Sequence, residues 1–414
     1  MSTTGTLGGF KRSARSTLGV EWEMQIIDQR SGELRQEVGR LEDALEVEGN
    51  AHPLVNHEII QSTLEITSRP RLLVHEAMGD LQQVLEQIQP VLNDWDARLV
   101  SVGLHPFSRP ADQTITPTDH YRKLVDSAGY WARQNLACGL HVHVGVEDVN
   151  KVMPLANAVM SYVGQFIALA ANSPFWQGED TGYEAFRPTI FRQLPTAGLP
   201  FQFHTWDEYE AAVGQLMAAG MITTDHNLFW DVRPARKLGT IEVRMCDAVS
   251  SPREVAAVVA LIQSLVEHFS KHLDQGETLP CDPPWLVWAN SYAATRYGRE
   301  ATVAKPVDGA EVTHPSTVGG SDGGVTGLGA TGTNGSGTAG QEVQTQPMRE
   351  ALMEMIQMVE STAADLGCSK ELEYAAEMVQ GPSGAQRQRE AHKAGGFDAV
   401  IKHLAEQFDS GFYL

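Results

Sequence analysis

A chain of 414 residues with 42% hydrophobic and 20% charged residues has the composition of a folded protein rather than a disordered one. Its length allows one large domain or two or three smaller ones. The 52 acidic residues outnumber the 31 basic ones and give a formal net charge of −21. Such a surface repels nucleic-acid phosphates and anionic lipids, so we expect neither as a partner.

Cellular location follows from the cysteines and from the apolar segments. The four cysteines contain no Cys-x-x-Cys pair and are too few for a disulfide framework in a chain of this length. The first 16 residues contain basic side chains without an apolar stretch behind them, unlike a signal peptide. The longest apolar run, 255–266, is too short to cross a bilayer. We therefore expect a cytoplasmic protein with reduced thiols and no membrane association.

Hydrophobic periodicity predicts the order of strands and helices. Alternation of apolar and polar residues predicts strands at 18–27, 98–104, 139–146 and 240–246. Helical periodicity predicts helices at 74–96, with Pro90 as a candidate kink, and at 151–171, 207–219, 252–272, 348–366 and 385–407. Strands and helices do not alternate regularly, which predicts an α+β fold built on an antiparallel sheet.

Composition divides the chain into four parts. Residues 1–16 are expected to be a flexible N-terminus, 17–302 the main domain, and 347–414 a helical part of that same domain. Between them, 303–346 is expected to be a flexible insertion, because ten of the 22 residues from 319 to 340 are glycine. Its matches to a dinucleotide fingerprint and to a nucleophile elbow are interpreted as accidents of composition, since neither follows a predicted strand.

The first predicted strand carries two carboxylates on one face. Apolar Val, Trp, Met and Ile alternate there with Glu21, Glu23 and Gln25. Because successive side chains of a strand point to opposite sides, the apolar set predicts a core face and the two glutamates lie together on the other. Neighbouring carboxylates repel unless a positive charge lies between them. Taken alone, a solvated acidic face is the favoured interpretation.

Two later strands repeat this arrangement. His141 and His143 share one face of a Gly-Leu-His-Val-His-Val-Gly segment, and Glu242 and Arg244 share one face of Gly-Thr-Ile-Glu-Val-Arg-Met. Each pattern alone also fits satisfied polar residues or a weak surface ion pair. If the three strands belong to one sheet, their polar faces form a common floor. That coincidence favours a site for cations and phosphate.

A fourth segment adds Glu58 and Glu65. Their separation of seven would place them on opposite faces of one regular strand, so the chain breaks, bulges or is partly helical between them. Carboxylates dominate the candidate ligands and no cysteine joins them, which favours Mg²⁺ or Mn²⁺ over zinc. Such ions act with arginines on the oxygens of ATP during phosphoryl transfer. The candidate arginines are Arg244, Arg187 and Arg192.

Together these motifs resemble the type-2 glutamate–cysteine ligase family, whose members are also called carboxylate–amine ligases. The resemblance is carried by Gly-Val-Glu-Trp-Glu, the Glu58–Glu65 segment, Cys-Gly-Leu-His-Val-His-Val-Gly, Asn-Ser-Pro-Phe-Trp-Gln-Gly-Glu-Asp-Thr-Gly and Gly-Thr-Ile-Glu-Val-Arg. It extends from about residue 18 to residue 298 and is weaker beyond that point. It implies a domain similar to glutamine synthetase, with a curved antiparallel sheet that carries metal ligands on its concave face and helices on the other.

The resemblance also implies roles for single residues and a reaction. Glu21, His141 and Glu242 would hold one ion, and Glu23, Glu58 and Glu65 another. Arg244 would contact phosphate oxygens and act in catalysis together with Arg187, while Arg192 and His143 would help to bind ATP. A carboxylate, expected to be the γ-carboxylate of glutamate, would attack ATP to form an acyl phosphate. An amine, such as that of cysteine, would then displace phosphate and form an amide.

The sequence departs from the family pattern at two places. Trp22 stands where the family usually has a third glutamate, but its side chain points away from the polar face, so we expect altered packing and intact metal ligands. The Leu-Pro-Thr-Ala-Gly segment at 194–198 lacks a basic residue that is often present, which leaves the amine or nucleotide specificity open.

Two other functions remain as alternatives at this stage. A dinuclear metallohydrolase would also use a His-x-His pair with scattered carboxylates, although glutamates outnumber histidines among the candidate ligands. A non-catalytic protein that binds a nucleotide or an amino acid is the second alternative, although all six proposed metal ligands are present. A homodimer is compatible with the family resemblance.

Overall fold

The computed structural model describes residues 9–305 and 344–411. In chain order, the strands of these ranges are β1 (Leu18–Asp28), β2 (Val55–His57), β3 (Thr63–Thr67), β4 (Ala97–Val100), β5 (Gly139–Gly145), β6 (Phe175–Trp176), β7 (Glu179–Asp180), β8 (Val232–Ala235), β9 (Thr240–Asp247), β10 (Thr302–Ala304) and β11 (Thr345–Pro347).

The helices surround this set of strands and make up the C-terminal part. They are α1 (Val38–Ala44), α2 (Val74–Asn93), α3 (Asp119–Ala128), α4 (Tyr130–Arg133), α5 (Val149–Met160), α6 (Val163–Ala170), α7 (Arg187–Phe191), α8 (Trp206–Ala218), α9 (Pro252–Asp274), α10 (Pro284–Tyr297), α11 (Met348–Asp365), α12 (Ser369–Gln380) and α13 (Gly384–Asp409).

The main sheet has the strand order β2-β3-β1-β5-β9-β8, and β4 also pairs with β1. Every pairing in this sheet is antiparallel. The predicted α+β class with an antiparallel sheet is therefore confirmed. Because β1, β5 and β9 are neighbours, the three segments that carry the predicted polar faces lie side by side, as the functional interpretation required.

The apolar face of the sheet forms the main core with the helices. Trp22 is fully buried there, and its indole nitrogen donates a hydrogen bond to Ser101 Oγ (2.8 Å), so it points away from the carboxylates as expected. The central helix α9 begins with a capping box, in which Ser251 and Glu254 satisfy each other's backbone amides (3.3 and 3.2 Å). Burying each of its Val and Leu side chains contributes about 1.5–3 kcal/mol.

Several predicted elements differ from the structure. The strand predicted at 98–104 ends at Val100, and the helix predicted at 151–171 is two helices, α5 and α6, bent by 58°. The helix predicted at 385–407 is interrupted where Gly395 and Gly396 have non-helical dihedral angles, φ of Gly396 being +68°. A positive φ is accessible to glycine at little cost, and two adjacent glycines therefore permit this break.

Residues 9–16 are held against the domain, in contrast to the flexible N-terminus that we expected for 1–16. The backbone amides of Ser13 and Ser16 donate to the carbonyl oxygens of Val146 and Gly145 (both 3.1 Å), and Arg15 Nε donates to Glu267 (2.8 Å). Residues 1–8 lie outside the described ranges. The sequence did not predict this anchoring, because the segment is short and has no hydrophobic periodicity. Its hydrogen-bond partners lie in distant parts of the chain.

Most of the expected insertion at 303–346, including both glycine motifs, also lies outside the described residues. Its described ends are paired, since β10 and β11 form an antiparallel ladder with Ala304 opposite Thr345. Among the described helices, no single one combines the length and apolarity needed to cross a membrane. The bent pair of α5 and α6 meets that test only when both helices are taken together.

Candidate active site

The polar faces of β3, β1, β5 and β9 form one row of ionisable side chains. The register places Glu65 opposite Glu23, His141 opposite Glu21, and Glu242 opposite His143. Since directly paired residues of an antiparallel sheet point to the same side, each pair meets on the same face.

Glu58 reaches the same face through a chain reversal. It follows β2 directly, and its backbone amide donates to the carbonyl oxygen of Thr63 (3.2 Å) as the chain turns into β3. Of the possibilities left open by the spacing of seven, the chain break between Glu58 and Glu65 is therefore the one found. Both carboxylates come close to Glu23.

The described side chains form three groups in which the ligand atoms lie within 4.8 Å of one another. They are Glu23 with Glu58 and Glu65, Glu21 with Glu65 and His141, and Glu21 with His143 and Glu242. The first group is the set implied by the family resemblance. The second implied set paired Glu242 with His141, but the sheet register brings His143 to Glu242 instead. Glu21 bridges both histidines, with distances of 3.1 Å to His141 Nδ1 and to His143 Nε2.

Crowding of carboxyl groups raises two pKa values. Burial, together with the charges of Glu23 and Glu21, raises the pKa of Glu58 to about 8. Burial and the charges of Glu21, Glu58 and Glu23 also raise the pKa of Glu65 well above its usual range. Like charges that cannot separate disfavour joint ionisation, and the charge of Arg244 offsets this effect at Glu58 only in part.

The opposite end of the row is rich in positive charge. Glu242 is completely buried, and its carboxylate is held by Arg233 (Nη2, 2.6 Å) and Arg244. Although burial opposes it, these two guanidinium groups lower the pKa of Glu242. The Glu242 carboxylate therefore stays ionised, and Arg244 is fixed with its guanidinium on the site face.

The donor set fits Mg²⁺ or Mn²⁺. Carboxylate oxygens dominate it, as hard divalent ions prefer, and two imidazoles complete it. His141 Nε2 is buried and has no hydrogen-bond partner among the described residues, although Glu23 Oε1 lies 3.8 Å away. A buried nitrogen without a partner is costly, and coordination to a cation would satisfy it while also neutralising the crowded carboxylates.

A cavity of about 220 Å³ opens above the carboxylates. Arg187 and Arg244 line it, and the two Arg187 Nη atoms donate weakly to the Arg244 carbonyl oxygen (3.4 and 3.5 Å). Apolar side chains also line the cavity, among them Leu124, Phe191, Leu194 and Phe229. The cavity therefore combines a charged floor with an apolar wall, as sites for small organic substrates commonly do.

The structure does not bring Arg192 to this cavity. Its Nη2 atom donates to Ser291 Oγ (2.6 Å) and Asp231 Oδ2 (3.2 Å), which joins the segment after α7 to α10. The sequence reasoning also missed Arg233 and Tyr121, which line the cavity. Arg233 follows buried Val232 in β8, a strand of four residues whose alternation is too short to be recognised. Nothing local marks Tyr121, which lies in the amphipathic helix α3.

These features define a class of protein: an α+β enzyme in which one sheet face gathers carboxylates, imidazoles and arginines for work on anionic substrates. Residues 17–318 match the family described as Glutamate-cysteine ligase family 2 (GCS2). The chain therefore belongs to this family and is an ATP-dependent carboxylate–amine ligase that forms a C–N bond. None of the relatives supports the metallohydrolase alternative.

Individual relatives match over nearly the whole chain. A protein of Arthrobacter sp. (strain FB24) named "Putative glutamate–cysteine ligase 2-1" is 37% identical over 410 residues, which cover 97% of this chain and 98% of the relative. A protein of Micrococcus luteus named "Putative glutamate–cysteine ligase 2" is also 37% identical and covers 92% of this chain and 88% of its own length.

The fold is similar to that of a solved glutamate–cysteine ligase from Francisella tularensis in complex with AMP. The TM-score is 0.64, with 12% identity and coverage of 97% of this chain and 91% of the other. A bifunctional glutathione synthetase from Pasteurella multocida matches with a TM-score of 0.60 and 12% identity, over 95% of this chain and 51% of the other. At this identity the likeness concerns the fold.

Proposed function

We propose that the protein joins the γ-carboxylate of glutamate, or a similar carboxylate, to the amine of cysteine or another small amine, with ATP and Mg²⁺. The observation that carries this proposal is the row of carboxylates and imidazoles next to Arg244 and Arg187 on one sheet face. The names of the relatives supply the choice of glutamate and cysteine.

The proposed metal ligands are the six residues expected from the sequence together with His143. Glu23, Glu58 and Glu65 would hold one ion. The two groups that share Glu21 would bind further cationic charge near His143 and Glu242. When bound, Mg²⁺ neutralises phosphate oxygens and orients the nucleotide. The sheet holds the proposed metal ligands next to Arg187 and Arg244 before any substrate binds.

The arginines would act on the phosphate oxygens. Arg244 is oriented by its bond to Glu242, and Arg187 lies beside it with its Nε unpartnered among the described residues. Their guanidinium groups are suited to the charge that moves onto the transferred phosphoryl group. Arg192 is engaged by Asp231 and Ser291, so we assign it to holding the α7 segment rather than to nucleotide contact.

The two proposed chemical steps balance without further reactants. A carboxylate oxygen attacks the γ-phosphorus, the bond to the ADP oxygen breaks, and an acyl phosphate forms. The amine nitrogen then attacks the carbonyl carbon, the bond to phosphate breaks, and the nitrogen loses its proton. An acyl phosphate hydrolyses in water, and the apolar wall of Phe191, Leu194 and Phe229 would limit water access while the amine arrives.

Phosphate release from ATP tests this proposal. The enzyme is assayed with Mg²⁺, glutamate and a panel of amines that includes cysteine, and the amide product is identified by mass. We expect release that depends on both the acid and the amine and that stops when the metal is chelated. A cytoplasmic location is part of the proposal, because the reaction consumes ATP and a cysteine thiol must stay reduced.

A matched pair of variants connects the activity to the site. Glu21→Gln removes the carboxylate that bridges both histidines, and we expect it to abolish amide formation. Glu86→Gln alters an exposed glutamate on α2 and serves as the control. Equal activity of the two variants, or phosphate release by the wild type that ignores both acid and amine, would contradict the proposed function.

A further inference from the structure

The loop at 172–186 connects α6 to α7 and ends immediately before Arg187. One end of this loop is fixed to the sheet by Asp247, the last residue of β9. Asp247 Oδ2 accepts hydrogen bonds from the Asn172 amide (2.9 Å) and from Ser173 Oγ (2.6 Å). Ser173 Oγ in turn accepts from the backbone amide of Arg187 (3.0 Å). The sheet therefore holds the start of the loop and the backbone of Arg187.

The other side of the loop is fixed by Arg389 on the first half of α13. Its Nε and Nη2 atoms form a two-point bond with the Asp180 carboxylate (2.9 Å each), and Nη2 donates to the Tyr183 carbonyl oxygen (2.6 Å). Its Nη1 donates to Glu184 Oε1. One guanidinium group thus joins three residues of the loop, with a geometry that lysine lacks.

Two neighbouring contacts make this docking close. Gln388 is buried and donates from Nε2 to Asn172 Oδ1 (2.8 Å), while Ser383 Oγ at the start of α13 donates to Glu184 Oε2 (2.6 Å). A Cβ atom on Gly384 would lie 2.3 Å from Asn172 Oδ1, so only glycine permits this approach. The close approach at Gly384 and these hydrogen bonds therefore fix the position of α13 against the loop.

The break at Gly395 and Gly396 divides α13 into two parts with different contacts. Residues before the break make the hydrogen bonds to the loop, whereas Val400, Ile401 and Leu404 after it pack in a core cluster with Val100 of β4 and Phe175 of the loop. The second half thus packs α13 against both the sheet and the start of the loop, and the first half adds the polar contacts to the rest of the loop.

We propose that Arg389 is a positioning residue of the ligase site, which orients Arg187 through the loop at 172–186. The family match ends at residue 318 and therefore assigns nothing to α13. The inference rests on the proposed function, because Arg187 is given a catalytic role there. Arg389 touches neither the cavity nor the row of carboxylates, so its effect on turnover is indirect.

Steady-state kinetics of Arg389→Gln and Arg389→Lys test the proposal. The glutamine variant loses the two-point bond, and we expect kcat to fall by about 10- to 100-fold, the size of effect produced by a small misplacement of a catalytic group. The lysine variant keeps the positive charge but cannot form the two-point bond to Asp180, so we expect its kcat to lie between those of the glutamine variant and the wild type. The KM for ATP should stay within about twofold of the wild-type value, since the carboxylates and Arg244 are untouched.

Arg387→Gln is the matched control. Arg387 lies on the same half of α13 and binds Glu254 of α9 instead of the loop. We expect this variant to lower the melting temperature, because the buried Glu254 carboxylate loses its guanidinium partner and keeps only the Ser251 amide, and to keep kcat close to the wild-type value. If Arg389→Gln has wild-type kcat, or if kcat falls equally in both variants, the positioning role is wrong.

Hydrogen exchange separates this inference from the proposed function. Exchange of the amides at 173–186 should rise in Arg389→Gln and stay unchanged in Arg387→Gln. A wild-type enzyme that joins no acid to any amine contradicts the proposed function. The exchange measurement then still shows whether Arg389 holds the loop at 172–186 in place. Unchanged protection of 173–186 in Arg389→Gln would overturn the inference even in an active enzyme.

Discussion

Glu65 is a proposed metal ligand that lowers the stability of the metal-free fold. Its carboxyl is crowded by Glu21, Glu58 and Glu23, and it accepts a hydrogen bond from the neutral Asn56 Nδ2 (3.1 Å). Without a cation, this arrangement opposes folding, because ionised carboxylates in a poorly solvated place repel each other. A bound divalent ion would reverse the sign of that contribution.

Replacement of Glu65 by Gln should therefore have opposite effects with and without metal. We expect a higher melting temperature of the metal-free protein, a loss of at least about tenfold in Mg²⁺ affinity, and loss of metal-dependent ATP turnover. Scanning fluorimetry at increasing Mg²⁺ measures both effects. Stabilisation by Mg²⁺ equal to that of the wild type would remove Glu65 from the ligands.

His105 predicts a pH dependence of stability outside the site. Its ring is buried between the Gly32 carbonyl oxygen (3.0 Å) and the Ser108 amide (3.0 Å), and burial lowers its pKa to about 4. Above the ordinary value of about 6.5, both folded and unfolded states are neutral and the full stability is present. Below it, only the unfolded chain takes up the proton, so stability falls as the pH drops towards 4.

Urea unfolding at a series of pH values measures this effect. The contribution of His105 should reach about 3 kcal/mol between pH 6.5 and pH 4. A His105→Leu variant, less stable at neutral pH, should show a smaller slope over that window. Identical slopes for variant and wild type would show that other groups cause the acid sensitivity.

The residues of the site were readable from the sequence to different degrees. The polar faces of β1, β5 and β9 followed from two-residue alternation, and the structure brings their side chains together. The family resemblance implied the group of Glu23, Glu58 and Glu65, but the pairing of His143 with Glu242 did not follow, because it depends on strand register, which no local pattern specifies. Asp247 and Arg389 were missed for the same reason: their partners lie 74 to 209 positions away.

At the scale of elements, long periodic helices such as α9 and α11 were predicted within about two residues, and the failures have physical causes. Short strands like β2 and β8 carry too few alternations to be recognised, and they are stabilised by the neighbours they pair with. The α10 helix has aromatic residues around its surface and a weak apolar face, so its periodicity gave no signal.

Arg299 joins separate elements by a single buried side chain. Its guanidinium donates to the Leu169 carbonyl oxygen near the end of α6 (2.7 Å) and to the carbonyl oxygens of Gly381 (3.3 Å) and Pro382 (3.2 Å) after α12. Partial negative charge at helix ends favours a cation there, which compensates in part for its burial.

Arg299→Met should cost about 3 kcal/mol of unfolding free energy, because several buried carbonyl oxygens lose their donor. Urea unfolding measures the loss, and Arg40→Met, at an exposed arginine of α1, is the control. An equal, small change for both variants would mean that water replaces the guanidinium without cost.

The glycine-rich insertion gives a second prediction at this scale. Composition predicts that deletion of 317–339 leaves the melting temperature within about 2 °C of the wild type. The ends at Ala304 and Thr345 are already paired, so a shorter connection can still join β10 to β11. A large loss of melting temperature would show that the deleted segment packs against the domain.

For the whole molecule, the row of carboxylates at the site contributes to the net charge of −21. Negative charge at the site attracts divalent cations, and the arginines around Glu242 offset it where phosphate would lie. The homodimer and the choice of amine remain predictions, since neither follows from the residues that form the sheet face.

Transfer of oxygen from the acid to phosphate tests the central claim most directly. Glutamate labelled with ¹⁸O in its γ-carboxylate is incubated with ATP, Mg²⁺ and the best amine, and the released phosphate is analysed by mass. An acyl-phosphate route predicts one ¹⁸O atom in each phosphate formed. Unlabelled phosphate would show that water or another group attacks ATP, and would contradict the assignment of this site to carboxylate activation.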